Sequence, residues 1–81
     1  MNREELEKQI KTIVADLLNI EEALIKDGSH FVNDLQADIL DAVELTMMAE
    51  DKFNISISDE DAEKAVTFKL LVDLIERKIE D

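Results

Sequence analysis

An all-α fold is predicted for this chain, and three observations predict it. Proline is absent, glycine occurs once and aromatics are only 4% of the residues. Leu, Ile, Ala, Glu, Asp and Lys dominate, which is the vocabulary of helices rather than of sheets. Apolar residues also recur at steps of three and four in separate stretches, the period of a helix with one buried face. At 81 residues, a single small domain spanning 1–81 is expected, because two cores need a longer chain.

The first helix is predicted to open at Asn2, with Glu5 three residues on in the position of a capping box. Leu6, Ile10, Ile13, Val14 and Leu17 make its stripe, and Asn19 suits the left-handed turn that ends helices. The pattern lapses from Ile20 to Ala37. A structureless stretch of 18 residues is long for a compact domain, so it must be pinned or functional. Ile20, Leu24, Ile25, Phe31, Val32 and Leu35 are its pins, with Asp27-Gly28 as a turn and a helical turn around Glu22 to Ile25.

The second helix is expected from Asp38 to about Lys52, capped by Asp38, with Asp41 near the positive end of its dipole. On a helical wheel Asp41, Glu44, Met48 and Asp51 share one arc, expected to face out. Leu40, Ala42, Val43, Leu45, Met47 and Ala49 fill most of the rest, which predicts packing on several sides. Asn54-Ile55-Ser56-Ile57 is then a connection burying its two isoleucines. Ser58 caps a short helix ending near Ala65, with Asp61 in the box position. Thr67 caps the last helix, with Val66 and Leu71 as a hydrophobic staple. Phe68, Leu71, Val72, Ile75 and Ile79 form its stripe, and Arg77 and Lys78 suit its negative end.

Charge is more informative than composition. The net charge is −12, and Asp27 to Asp51 alone holds seven acids and no base. Such a field disfavours nucleic acid and anionic lipid and favours basic protein surfaces. An acidic surface commonly serves solubility alone, but concentration into one segment points to docking. No cysteine is present, so disulfides and thiolate metal sites are excluded. No apolar run has the length of a membrane span, and Glu4, Glu5 and Glu7 replace the basic start of a signal peptide. The expected location is the cytoplasm, or an organelle after loss of a presequence.

Several short motifs then fall in a specific order: Phe31-Val32-Asn33-Asp34-Leu35, Asp38-x-Leu40-Asp41-x-Val43-Glu44-Leu45, Glu50-Asp51-Lys52-Phe53, and Ile55 through Lys64 into Val66-Thr67. In this order and spacing the chain resembles, over nearly its whole length, the acyl carrier proteins of fatty-acid and polyketide synthesis. The resemblance implies a four-helix bundle with a short third helix and a long first loop. It also implies a carrier that receives phosphopantetheine on a serine in an Asp-Ser-Leu triplet and holds acyl groups on it as thioesters. By the same resemblance, Asp38, Asp41, Glu44, Met47, Glu50 and Asp51 meet basic patches of acyl-chain synthase enzymes or of a phosphopantetheinyl transferase. A monomer is expected.

Two positions depart from that pattern. The triplet reads Asp38-Ile39-Leu40, and a phosphodiester needs a hydroxyl that Ile39 lacks. No cofactor is therefore expected on residue 39 as written, and thioester carriage through it is excluded. The remaining serines are Ser29, Ser56 and Ser58, and a transferase that reads the helix start has no reason to accept them. Gln36 stands where the family usually has glycine. Ile39 reads either as an engineered block on modification or as the mark of a natural serine-less paralogue that binds proteins without loading. Its apolar side chain is expected to stabilise the bundle or plug the mouth of an acyl cavity. An enzyme is not expected: His30 is the only histidine and lacks a cysteine partner, and no glycine-rich phosphate loop exists. Asp59, Glu60, Asp61 and Glu63 lack the order and glycine of an EF-hand loop, so any divalent cation there is expected to bind weakly, relieving charge repulsion without defining a function.

Overall fold

The computed structural model describes residues 2–80. Among the described residues four α-helices run in the order α1 (Arg3–Leu18), α2 (Ile39–Phe53), α3 (Asp59–Lys64) and α4 (Phe68–Glu80). A single 3-10 turn, Glu22–Leu24, lies in the long first loop, where a helical turn was expected. No strand is present among the described residues, only one isolated bridge between His30 and Thr67. This is an all-α bundle with a short third helix and a long first loop.

Local signals set the helix ends. The Glu5 N–H donates to Asn2 Oδ1 at 2.8 Å, and Asn19 closes α1 at φ 56, ψ 49. Asn54 closes α2 in the same left-handed way. Asn tolerates that conformation better than any residue but glycine, which lets helices here end without glycine. Ser58 Oγ accepts from the Asp61 N–H, and Thr67 Oγ1 from the Leu70 N–H. The expected staple is weaker than its partners suggest, since Val66 stays 39% exposed while Leu71 is buried.

Helix α1 packs against α2 and α4, and α3 packs against α4. The core is built mainly from Leu6, Ile10, Ile13 and Val14 of α1 and Phe68, Leu71, Val72, Leu74 and Ile75 of α4. Leu74 joins this core in place of the expected Ile79, which is exposed. Of the loop pins, Ile25 and Phe31 are buried, and Ile20 and Leu35 pack at the edge. Leu24 and Val32 point to solvent, because the 3-10 turn and the turn after His30 each have one inward side and Ile25 and Phe31 occupy it. Ile57 is buried and Ile55 half-buried, as expected of the α2–α3 connection.

Arg3 ties the start of α1 to α4, with contacts of 2.7 Å to Asp73 and 3.1 Å to Glu76. Its hydrogen bond to Asp73 holds the guanidinium pKa above, and the Asp73 carboxyl below, their ordinary values. Lys78 likewise reaches Asp61 at 3.4 Å, binding α3 to the end of α4 and lowering the Asp61 pKa. Arg3 and Lys78 thus link α1 and α3 to α4 around the apolar core.

Candidate functional site

The segment that delivers the start of α2 is fixed by a histidine. His30 Nδ1 accepts from the N–H groups of Val32 and Asn33, at 3.2 and 3.1 Å. Its own N–H donates to Asp34 Oδ2 at 2.7 Å, and its carbonyl accepts from Asp34 and Leu35. The imidazole occupies the role that Ser or Asp takes in an ordinary cap. The lone histidine is thus a structural acceptor in the loop. Past this turn the chain reverses at Gln36, which sits at φ 60. A side chain in the left-handed region costs roughly 1–2 kcal/mol, which only glycine escapes. The Ala37 N–H then returns to the Phe31 carbonyl at 2.8 Å, closing the turn on a buried Ala37.

Asp38 opens α2 with a complete capping box. Its Oδ1 accepts from the Asp41 N–H at 2.8 Å, and Asp41 Oδ2 accepts from the Asp38 N–H at 3.1 Å. Asp41 is therefore a structural partner as well as a charge. Ile39 follows as the first helical residue and is 81% exposed. The expectation that it plugs the mouth of an acyl cavity is corrected here: its side chain projects into solvent.

Packing of α2 on several sides is also corrected. Only Leu45 and Ala49 are buried, and Met48 packs against the core. The outward side carries Ile39, Leu40 (77% exposed), Val43 (53%) and Met47 (59%), edged by Glu44 and Asp51. The predicted arc Asp41, Glu44, Met48 and Asp51 thus straddles the border of the exposed face, with Asp41 half-buried and Met48 turned inward. The wheel was ambiguous because an amphipathic stripe fixes spacing, whereas a helix apolar over most of its girth has two faces to offer. The spacing Ile39, Val43, Met47 was a readable stripe; its exposure was not.

The six residues expected to meet partners lie along this helix, but not equivalently. Asp38, Glu44, Met47 and Asp51 are exposed. Glu50 is half-buried, and its Oε2 accepts from the Ile57 N–H at 2.9 Å, fixing the α2–α3 connection. Among the described residues, none of the α2 carboxylates takes part in an ion pair, whereas the ion pairs present lie on α1, α3 and α4. The outward side of α2 thus joins an exposed apolar stripe to an acidic edge without ion pairs among the described residues.

Residues 8–75 match the family described as phosphopantetheine attachment site. This chain belongs to that family. The acyl carrier protein from Enterococcus faecalis, described for its high thermal stability, is similar in structure, with a TM-score of 0.81 and 36% sequence identity. The match covers 96% of this chain and 99% of that one. The acyl-carrier family assignment and the all-α bundle are therefore established together. Members of this family are carriers that act with synthases and transferases and are not enzymes themselves. The family's prosthetic group is phosphopantetheine.

Proposed function

We propose that this chain is an acyl-carrier-family protein of fatty-acid or related acyl-chain metabolism. It docks to basic surfaces of the family's synthases or transferase through the outward side of α2 and takes no phosphopantetheine on residue 39. The observation that carries this reading is Ile39: a side chain without a hydroxyl, 81% exposed, on the first residue of α2 behind an intact capping box. The residues present do not fit the family's prosthetic group there, since no atom of Ile39 can form the phosphodiester. The docking residues are Asp38, Glu44, Met47 and Asp51, with Asp41 and Glu50 combining charge with structural bonds. Uncompensated rim carboxylates raise association rates with cationic partners and allow fast release, which suits transient engagement. The chain acts as a monomeric, single-domain protein of the cytoplasm in this reading.

The altered pair Gln36 and Ile39 favours, as a second reading, a protein that binds without loading. An engineered block would need only residue 39 changed, whereas Gln36 adds a strained backbone nearby. The experiment is to incubate the chain and Ile39→Ser with a phosphopantetheinyl transferase and coenzyme A, and weigh the products. Full modification of Ile39→Ser alongside an unmodified parent identifies a carrier disabled at one atom. Refusal of Ile39→Ser, with binding retained, identifies the non-loading module. An adduct on the parent chain overturns the proposal.

A further inference from the structure

Glycine 28 is the only glycine in the chain, and it follows an aspartate. The pair forms the centre of a turn closed on both sides: the Ser29 N–H donates to the Lys26 carbonyl at 3.0 Å, and the Lys26 N–H to Ser29 Oγ at 2.9 Å. Asp27 and Gly28 themselves are exposed, and nothing lies within 4 Å of where a Gly28 side chain would begin. Among the described residues the Gly28 N–H makes no hydrogen bond, and the Asp27 carboxylate makes neither a hydrogen bond nor an ion pair. The nucleophile and the electrophile of an intramolecular condensation thus stand side by side, free and open to water.

We propose that Asp27 is a site of spontaneous isoaspartate formation in the folded protein, and that the modification uncaps α4. The Gly28 amide nitrogen, its proton lost to solvent, attacks Cγ of the protonated Asp27 carboxyl. A C–N bond forms, one carboxyl oxygen leaves as water, and the product is a five-membered imide. Water then adds to either imide carbonyl. Opening at the former backbone carbonyl leaves the chain running through Cβ and Cγ, with a free α-carboxylate. One water leaves and one enters, so no oxidant or cofactor is required and the mass is unchanged.

The consequence follows from where the turn is attached. A helix leaves its first amide donors without partners; here the turn supplies acceptors for two of them and Thr67 Oγ1 for a third. The Asp27 carbonyl accepts from the Lys69 N–H at 2.9 Å, and the Ser29 carbonyl from the Phe68 N–H at 3.0 Å. Isomerisation inserts one extra atom into the backbone between these two acceptors and converts the Asp27 carbonyl into a free carboxylate. The spacing that fits both donors is lost, directly beside the buried Phe68.

The test ages the full chain at neutral pH and 37 °C, folded and in urea, and assays it with an isoaspartyl methyltransferase and by peptide mapping. Isoaspartate is expected at residue 27 in the folded sample, abolished by Asp27→Glu and slowed by Gly28→Ala, which the open space around Gly28 admits. The separated isoaspartyl fraction is expected to melt about 5 °C below fresh protein, with hydrogen exchange raised at Phe68 and Lys69. Isoaspartate in the urea sample alone, or only at other aspartates, overturns the proposed site. An aged fraction with unchanged melting and exchange overturns the uncapping.

Discussion

The α1–α4 half and the α2 face of this molecule use the same kinds of residue to opposite ends. On the first, apolar side chains interlock inside and Arg3 bridges two carboxylates of α4 outside. On the second, four large apolar side chains stand in water, and Asp38, Glu44 and Asp51 have no cationic neighbour in ion-pair contact among the described residues. Burial and neutralisation stabilise the fold; their absence on α2 leaves interaction energy unused in the isolated chain. The difference teaches that residue type alone does not mark a core, and that the surfaces holding the bundle together are separate from the one α2 leaves open to water.

The widest gap between the two halves should be seen in paired truncations. Phe68→Ala is expected to cost about 3–5 kcal/mol, because it empties a site that is 1% exposed. Val43→Ala, on the outward side of α2, should stay within about 0.5 kcal/mol. Urea unfolding of both measures the contrast, and equal losses would break it.

Asp38→Ala removes the acceptor for the Asp41 N–H, so α2 should fray at the residues that begin its exposed face. The expected loss is about 1 kcal/mol, read by urea unfolding and by faster amide exchange at residues 40 and 41. A smaller, opposite effect is expected at Gln36. Relief of left-handed strain, roughly 1–2 kcal/mol, outweighs the added freedom of glycine in the unfolded chain, roughly 0.5–1 kcal/mol. Gln36→Gly should therefore raise the melting temperature by a few degrees, and a fall would show that the turn is not strained.

The smallest effect belongs to the ion pairs. Asp73 titrates below its ordinary value because of Arg3, so its contribution is complete above the unfolded carboxyl pKa near 4 and is lost as pH falls through the lower folded value. Both partners are about a third or more exposed, so solvent screens the pair and the contribution stays within about 1 kcal/mol. Arg3→Ala should lower the melting temperature at pH 7 and make little difference at pH 2–3. A difference that persists undiminished in acid would assign it to lost packing instead.

Local chemistry was legible in the chain without its fold. Asn2, Asn19, Asp38, Ser58 and Thr67 each cap where expected, since a cap is a bond between neighbours within a few residues. The exclusion of lysine and arginine from Asp27 to Asp51 was equally plain, and so was the missing hydroxyl at Ile39.

Contacts between distant segments had to be folded to be known. Which side of α2 meets α1 decides that Met48 turns inward and Met47 outward, and a helix apolar nearly all round carries no preference of its own. Glu50 finds the Ile57 N–H, and Asp27 and Ser29 find the start of α4, only after the chain has doubled back. Short-range bonds are written in sequence order, so the sequence determines them. The azimuth of a helix is set by the competition of several surfaces for burial, so only the assembled bundle decides it.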